Sequence, residues 1–248
     1  MYINDVNILY YVVIGIIGLV VGQFVDWCNK RLPENKKIFS KDIFSIYLKS
    51  ARPNYILMVI HAVLYIGILY FYGLSIDTVK FMILIPMLIS AFAIDYKLQI
   101  IPNRLTLSIF ETGLIFTFLS ALINTNAGMN IFINNMLGMI VGGGIFLIIT
   151  LIGGLIAGKD AMGFGDVKLM GALGLFVGWV EIIMISVIAF LLAAIVSIVI
   201  LISRKKKADE YIPFGPFIVI GALIVVFVPS DILLVGLFKI FTLGLYKI

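Results

Sequence analysis

The chain has 248 residues, of which 62% are hydrophobic and 12% charged, with a formal net charge of +5 and a mean hydropathy of +1.19. This composition excludes an ordinary water-soluble protein and predicts an all-α, polytopic integral membrane protein. The single cysteine, Cys28, excludes an internal disulfide and a multi-cysteine zinc site, and the single histidine, His61, disfavours a histidine-based metal centre or a Ser-His triad.

Apolar stretches long enough to cross a bilayer follow one another along the chain. They lie at residues 6–28, 55–74, 79–95, 105–123, 131–158, 167–203 and 214–246. The last two are too long for one crossing, and polar or small residues at 178–181 and 229–231 predict a break in each. We therefore expect eight or nine helices, about eight of them transmembrane.

Basic residues concentrate in alternate loops between these stretches. The loops in question carry Lys30, Arg31, Lys36, Lys37, Lys41, Lys49 and Arg52, then Lys97 and Arg104, then Lys159 and Lys168, and finally residues 204–207. Because positive charge marks cytoplasmic loops, this pattern predicts a cytoplasmic location for them and an N-terminus outside the membrane. The positive net charge is then a topology signal, and no nucleic-acid partner is expected.

Two aspartates lie at the ends of apolar runs, at a depth where a carboxylate is costly. Asp95 follows the run of residues 81–94, and Asp166 directly precedes the run that begins at Val167. Both are expected at cytoplasmic helix ends, on helices that can pack together. Two carboxylates in one site cannot both ionise cheaply, so one keeps a proton while the other activates water, as in an aspartic protease. That chemistry requires no metal.

Two glycines precede the second aspartate: Gly163 and Gly165 flank Phe164. Glycine adopts positive φ angles and permits close backbone approach, which predicts a loop able to approach a scissile peptide. The alternative is a glycine turn capped by an aspartate, which is common at helix starts.

Four segments resemble motifs of the type IV prepilin peptidases, a family of GxGD-type intramembrane aspartic proteases. Residues 163–170 (GFGDVKLM) and 95–103 (DYKLQIIPN) resemble the catalytic motifs, residues 22–33 (GQFVDWCNKRLP) the N-terminal run, and residues 212–217 (IPFGPF) a motif near the C-terminus. The four occur in the order found in the family, so the resemblance covers most of the chain.

The resemblance implies a multi-pass enzyme of the bacterial cytoplasmic membrane that removes the short basic leader from type IV prepilins and pseudopilins at the cytoplasmic face. The cut usually falls between a glycine and a phenylalanine or similar residue, and proteolysis needs no cofactor or metal. By motif position, the implied catalytic residues are Asp95 and Asp166, and the implied active-site loop comprises Gly163, Phe164, Gly165 and Lys168. The implied supporting residues are Pro102, Asn103, Pro213, Gly215 and Pro216.

Many bacterial members also N-methylate the new N-terminus with S-adenosylmethionine, using their N-terminal region. Gly22, Phe24 and residues 31–33 match that region, whereas Gln23 and Asp26 stand where serine and asparagine are usual. The loop of residues 30–54 lacks the paired cysteines that bind zinc in many members. The resemblance thus predicts a methyltransferase-like region at 1–78 and a peptidase domain at 79–248, and leaves methylation itself open. Asp26 is equally explained as an interfacial aspartate paired with Lys30 or Arg31.

Three other classes remain as alternatives. In a transporter or channel, Asp95 and Asp166 would relay protons or bind a cation, which predicts carboxylates near the bilayer centre and repeated halves. A presenilin-like or signal-peptide-peptidase-like protease also uses a Gly-x-Gly-Asp loop, but its first aspartate normally follows a tyrosine, whereas Ile94 precedes Asp95 here. The third class is a structural pilus-assembly partner.

Two further features have packing interpretations. The glycines at 142–144, 153 and 154 lie in an apolar run, where small residues allow helices to approach closely. His61 lies inside the second apolar run and is expected to be a hydrogen-bonded packing residue.

Overall fold

The computed structural model describes residues 2–4, 6–42, 47, 52–157, 162–203 and 212–242. Apart from a two-stranded ladder, the regular structure of these residues is α-helical, which confirms the all-α prediction. Lys49, Lys159 and residues 204–207, which contributed to the predicted orientation, lie outside the described residues. The chain divides into two compact units, Met1–Lys97 and Leu98–Ile248.

The described residues of the first unit form a short ladder and three helices. Strands β1 (Tyr2–Ile3) and β2 (Val6–Asn7) pair in antiparallel fashion, and helices α1 (Ile8–Arg31), α2 (Tyr55–Tyr72) and α3 (Ile76–Leu98) follow, the last residue of α3 belonging to the second unit. The Asn7 side chain caps α1 by accepting a hydrogen bond from the backbone N–H of Leu9.

Small residues bring α1 and α2 into close contact. A Cβ atom at Gly18 would lie 2.6 Å from the Cα of Ala62, and one at Gly22 would lie 2.5 Å from the Cα of Met58. Because only glycine leaves room for this approach, the two backbones touch directly. The buried His61 lies on the same helix as Ala62, and its Nδ1 is 2.7 Å from the carbonyl oxygen of Leu57, as expected for a hydrogen-bonded packing residue.

Six helices make up the described part of the second unit. They are α4 (Asn103–Ile123), α5 (Gly128–Ala157), α6 (Phe164–Val177), α7 (Trp179–Ile202), α8 (Gly215–Phe227) and α9 (Ser230–Phe241). The predicted breaks are confirmed: Gly178, with a φ of 96°, separates α6 from α7, and residues 228–229 separate α8 from α9.

Helix α6 is short and deeply buried. Its 14 residues extend about 21 Å, less than the roughly 30 Å of a bilayer core. Leu169, Met170 and Leu173 have no exposed surface, and the Thr117 hydroxyl of α4 donates a hydrogen bond of 2.9 Å to the carbonyl oxygen of Leu175. Neighbouring helices therefore surround the segment that begins with the glycine motif.

The glycine-rich run of α5 contacts α6, as its sequence predicts, but not at every position. A Cβ atom at Gly142 would lie 2.6 Å from the carbonyl oxygen of Met170, and one at Gly143 would make an ordinary contact of 3.6 Å with the Cα of Gly171. A Cβ atom at Gly144 would meet nothing within 4 Å. The helix contact therefore explains Gly142, whereas positions 143 and 144 have room for a Cβ atom.

Six helices among the described residues are long and apolar enough to cross a membrane: α1, α2, α3, α4, α5 and α7. Helix α8 is a shorter apolar helix. The count is compatible with the predicted eight transmembrane helices, and the protein is a multi-pass membrane protein.

Candidate active site

Asp166 lies in the first turn of α6, as predicted. Its backbone N–H donates a hydrogen bond of 3.0 Å to the carbonyl oxygen of Gly163, the N-cap residue. The side chain is only 4% exposed. A helix start stabilises an anion through its free amides and dipole, so a buried carboxylate is better tolerated here than inside a helix.

The glycines before Asp166 do not use positive φ angles, so that prediction was wrong. Gly163 has φ −66° and ψ 132°, an extended conformation that other residues adopt as readily, and the positive-φ glycines among the described residues are Gly73 and Gly178. Gly165 lies in a tight contact instead, because a Cβ atom there would lie 3.1 Å from the Cβ of Ile101. The glycine motif therefore permits close packing against the segment before α4.

Lys168 connects this loop to the other predicted motif. Its ammonium group donates a hydrogen bond of 2.8 Å to Oδ1 of Asn103, the first residue of α4. The same ammonium lies 5.4 Å from the ring centroid of Phe164, whose side chain is 57% exposed. The second unit thus brings together Phe164, Gly165 and Lys168 with Ile101 and Asn103.

The start of α4 has the geometry that its sequence favours. Pro102 is the N-cap residue, with φ −61° and ψ 133°, and its carbonyl oxygen accepts hydrogen bonds from the backbone N–H groups of Leu105 and Thr106. The Thr106 hydroxyl donates to the carbonyl oxygen of Asn103 across 3.0 Å. Proline fixes φ and supplies no amide, so this junction holds Asn103 in a defined place.

Asp95 lies in the last turn of α3, in the first unit, and is also 4% exposed. Its position at the end of the third helix agrees with the sequence prediction. The next residues, Tyr96 and Lys97, are exposed, so the chain passes from buried to exposed surface directly after this carboxylate.

The predicted supporting residues near the C-terminus lie at the start of α8. Pro213 precedes the N-cap residue Phe214, and Gly215 and Pro216 are the first two residues of the helix. Gly215 and Pro216 are buried, and the ring of Phe214 packs 5.8 Å from that of Phe146 and 5.1 Å from that of Phe190, measured between centroids. Phe214 was not singled out from the sequence, although it lies inside the quoted motif.

The N-terminal motif forms a closed polar network at the end of α1. Asp26 accepts hydrogen bonds from Lys30 (2.6 Å), the Tyr47 hydroxyl (2.8 Å) and the Asn54 amide (3.0 Å). The Gln23 amide donates to the Tyr47 hydroxyl at 2.8 Å. The alternative interpretation of Asp26, an aspartate paired with Lys30, is therefore confirmed.

A salt bridge connects the end of α1 to a residue that follows the helix. Arg31 forms a salt bridge of 2.8 Å with Asp42, and its guanidinium lies 4.3 Å from the ring centroid of Trp27. Tyr47 and Asp42 were not identified from the sequence. Asp42 pairs with a residue 11 positions earlier in the chain and Tyr47 with one 21 positions earlier, so no local sequence pattern links them to α1.

A groove of about 490 Å³ lies within the second unit, between α4, α5 and α6. Its polar lining residues are Asn103, Thr106 and Lys168, and the remainder of its lining is apolar or small. The groove therefore shares two residues, Asn103 and Lys168, with the junction described above.

Comparison with known proteins identifies a family match for the part of the chain that contains Asp95 and Asp166. Residues 82–198 match the sequence profile of the type IV leader peptidase family. The chain carries a type IV leader peptidase domain. This domain contains both buried aspartates and the glycine loop, whereas residues 22–33 and 212–217 lie outside the match.

The names of curated relatives include a second activity, N-methylation. The chain is 33% identical over 159 residues to the prepilin leader peptidase/N-methyltransferase of Legionella pneumophila, covering 63% of this chain and 52% of that protein. It is 28% identical over 144 residues to the protein of that name from Aeromonas hydrophila (58% and 47%), and 30% identical over 131 residues to that of Escherichia coli K12 (53% and 55%). The chain thus spans about half the length of the relatives it matches. No solved structure matches it.

Proposed function

We propose that this protein is an aspartic endopeptidase that removes the leader peptide from type IV prepilins and prepilin-like proteins. The observation that carries the proposal is the hydrogen bond between Lys168 and Asn103, because it joins the two sequence motifs that contain Asp166 and Asp95. The names of the relatives, prepilin leader peptidase/N-methyltransferase, supply the substrate class.

The proposed chemistry uses the carboxylates of Asp95 and Asp166 as a pair. One is protonated and donates a hydrogen bond to the carbonyl oxygen of the scissile peptide, while the other takes a proton from a water molecule. The resulting hydroxide forms a bond to the carbonyl carbon. The C–N bond then breaks as the leaving amine takes a proton from the acid. Each side chain is only 4% exposed, so both carboxyls are largely shielded from bulk water.

We further propose that both carboxylates act at the cytoplasmic face. Basic residues lie near the relevant helix ends. Lys30 and Arg31 lie in the last turn of α1, Lys97 in the last turn of α3 and Arg104 in the first turn of α4, and Lys168 is the fifth residue of α6. Positive charge at these ends favours a cytoplasmic location.

Positions at helix ends also favour a protease over a transporter. Asp95 and Asp166 lie in a last and a first helical turn, respectively. A proton relay or cation site would place the carboxylates nearer the middle of membrane-spanning helices. The positions of these two carboxylates therefore do not support the transporter or channel alternative.

The direct test is cleavage of a prepilin co-reconstituted with the wild type or with Asp95→Asn or Asp166→Asn, followed by mass spectrometry of the product. We expect both substitutions to abolish cleavage. The matched control is Glu111→Gln, which neutralises an exposed carboxylate of the same domain and should cleave at the wild-type rate. Cleavage that survives either aspartate substitution would refute the mechanism.

N-methylation with S-adenosylmethionine is a second activity that the names of the relatives raise. Gln23 and Asp26 do not fit as groups that bind this cofactor, because their side chains bond to Tyr47, Asn54 and Lys30 instead. We assign no residue to the cofactor and no step through it. A mass increase of one methyl group on the product, seen only with S-adenosylmethionine, would establish the activity.

A further inference from the structure

The groove between α4, α5 and α6 opens at an apolar surface of the second unit. Leu107 and Phe110 on α4 line it, and their side chains are exposed, at 55% and 37%. Helices α4 and α5 are long and apolar enough to cross a membrane, so this surface faces hydrocarbon rather than water. The groove, with a volume of about 490 Å³, is therefore accessible from the bilayer.

The depth of the groove corresponds to one leaflet of a bilayer. Its polar end contains Asn103, the first residue of α4, and Lys168, near the start of α6. Helices that cross a membrane end at its interface, so the polar end lies at the level of the lipid headgroups. From Asn103 to Phe110, α4 rises about 10 Å, which is most of the roughly 15 Å hydrocarbon depth of a single leaflet.

Small residues leave room for a hydrocarbon chain. On α5 and α6 the lining includes Gly143, Gly171 and Ala172, together with the flexible side chain of Met139. A Cβ atom at Gly143 would lie 3.6 Å from the Cα of Gly171, so the two backbones are in ordinary contact there. A smooth apolar surface of this kind accommodates an acyl chain without displacing a large side chain.

Lys168 gives the polar end a positive charge. Among the described residues that line the groove, it is the one charged residue. Its ammonium donates to Oδ1 of Asn103 and lies 5.4 Å from the ring centroid of Phe164, and both of these partners are neutral. An ammonium has three donors, and the bond to Asn103 uses one of them. Asp166 is only 4% exposed, and residues two apart on a helix do not face each other, so its carboxylate does not neutralise the groove.

We propose that the groove is a binding site for an anionic phospholipid of the surrounding membrane. The phosphate accepts a hydrogen bond from the Lys168 ammonium, and one acyl chain lies along Leu107 and Phe110 against Gly143. Basic sites between transmembrane helices bind anionic headgroups in this way. A zwitterionic lipid also presents a cationic group to Lys168, so charge favours the anionic lipid. This inference does not depend on the proposed peptidase activity.

Photo-crosslinking tests the occupant directly. An aliphatic diazirine amino acid is placed at Met139, which lines the groove, or at Ile140, which is exposed and is not among the lining residues. The full chain is placed in nanodiscs that contain equal amounts of phosphatidylglycerol and phosphatidylcholine with identical acyl chains, and mass spectrometry identifies the adducts.

We expect position 139 to favour phosphatidylglycerol about fivefold, the preference that one basic residue near a membrane surface provides. Position 140 should give the two adducts in equal amounts, as in the bilayer. Equal adducts at position 139, or no lipid adduct there, would overturn the inference.

Removal of the charge tests the role of Lys168. Lys168→Gln should make the two adducts at position 139 equal. The matched control is Lys239→Gln, which neutralises an exposed lysine in the last turn of α9 that is not among the lining residues, and it should keep the wild-type preference. Equal adducts at position 140 in each variant show that the chain is inserted in the bilayer. A preference at position 139 that survives Lys168→Gln would overturn the inference.

Two adjacent glycines of α5 allow a second measurement without a photoreactive group. Gly143→Leu fills the groove, whereas Gly144→Leu, the matched control, projects into open space. Each variant is purified from the same nanodiscs, and native mass spectrometry measures the phosphatidylglycerol that stays bound. We expect Gly143→Leu to lose most of the bound lipid that the wild type and Gly144→Leu retain. Equal retention by the two variants would overturn the inference.

Discussion

The Lys168 ammonium donates a hydrogen bond to the side-chain carbonyl of Asn103 across 2.8 Å, although the two residues are 65 positions apart in the chain. One residue lies two positions after Asp166, and the other begins α4, shortly after Asp95. This bond fixes the start of α4 against α6. It therefore holds together the ends of two motifs. The sequence gives the order of these motifs along the chain but not their contact.

Removal of this bond should weaken cleavage without eliminating it. Lys168→Met and Asn103→Ala are each expected to lower kcat/KM about tenfold, because a hydrogen bond to a charged group contributes about 1.5 kcal/mol or somewhat more. The double variant should be no worse than either single variant, since both remove the same interaction. Ser108→Ala, which removes a hydroxyl bonded only within α4, is the control, and multiplicative losses in the double variant would contradict the coupling.

Gly165 should tolerate alanine better than valine. A Cβ atom at this position lies 3.1 Å from the Cβ of Ile101, so alanine requires a shift of a few tenths of an ångström, whereas valine adds two more methyl groups. We expect Gly165→Val to destabilise the protein by about 1–3 kcal/mol and to reduce cleavage more than Gly165→Ala does. Melting temperature in detergent and cleavage rate are the measurements, and Gly144→Val is the matched control in open space. Equal effects of valine at 165 and 144 would show that the Ile101 contact is unimportant.

Tyr47 should stabilise the N-terminal network through its hydroxyl group. In Tyr47→Phe, the buried Asp26 loses a donor at 2.8 Å and the Gln23 amide loses its acceptor. Because unpaired buried polar groups are costly, we expect a loss of about 1–3 kcal/mol in the free energy of unfolding. Thermal unfolding monitored in detergent checks this, with the exposed Tyr55→Phe as control. An unchanged melting temperature would mean that water or rearrangement replaces both bonds.

The salt bridge between Arg31 and Asp42 should make the first loop sensitive to acid. The hydrogen bond from Arg31, together with one from Ser40, holds the pKa of Asp42 below its ordinary value of 3.8. A lowered folded-state pKa contributes stability above the ordinary value, and this contribution is lost as the pH falls through the lowered one. Asp42→Asn should therefore increase proteolysis of the loop at pH 7, and the difference from the wild type should disappear in acid. A difference that persists at the lowest pH would contradict the assignment.

The sequence predicted helices and motif positions better than it predicted contacts. Apolar runs and the small or polar residues between them located α6, the turn at Gly178 and the break before Ser230, because periodicity and turn chemistry are local properties. The role of Gly165 was not predictable, because it depends on Ile101, which is distant in the chain. The same holds for Tyr47, whose hydroxyl bonds to Asp26, 21 residues earlier in the chain.

Other features stay predictions from the sequence. The supporting roles of Pro102, Pro213 and Pro216 and the division into regions 1–78 and 79–248 depend on the family resemblance. The catalytic roles of Asp95 and Asp166 depend on it and on the position of both carboxylates at the ends of apolar runs. The contact-based division falls at Lys97 instead, but a functional boundary need not coincide with a packing boundary.

The most direct test of the central claim is whether the two aspartates act as one unit. We would measure single-turnover cleavage of a prepilin by the wild type, by Asp95→Asn, by Asp166→Asn and by the double variant. If the carboxylates form a catalytic pair, each single substitution should lower the rate roughly a thousandfold or more, and the double variant should be no slower than the slower single variant. Losses that multiply in the double variant, or a single variant that retains near-wild-type cleavage, would contradict the aspartic mechanism proposed for this protein.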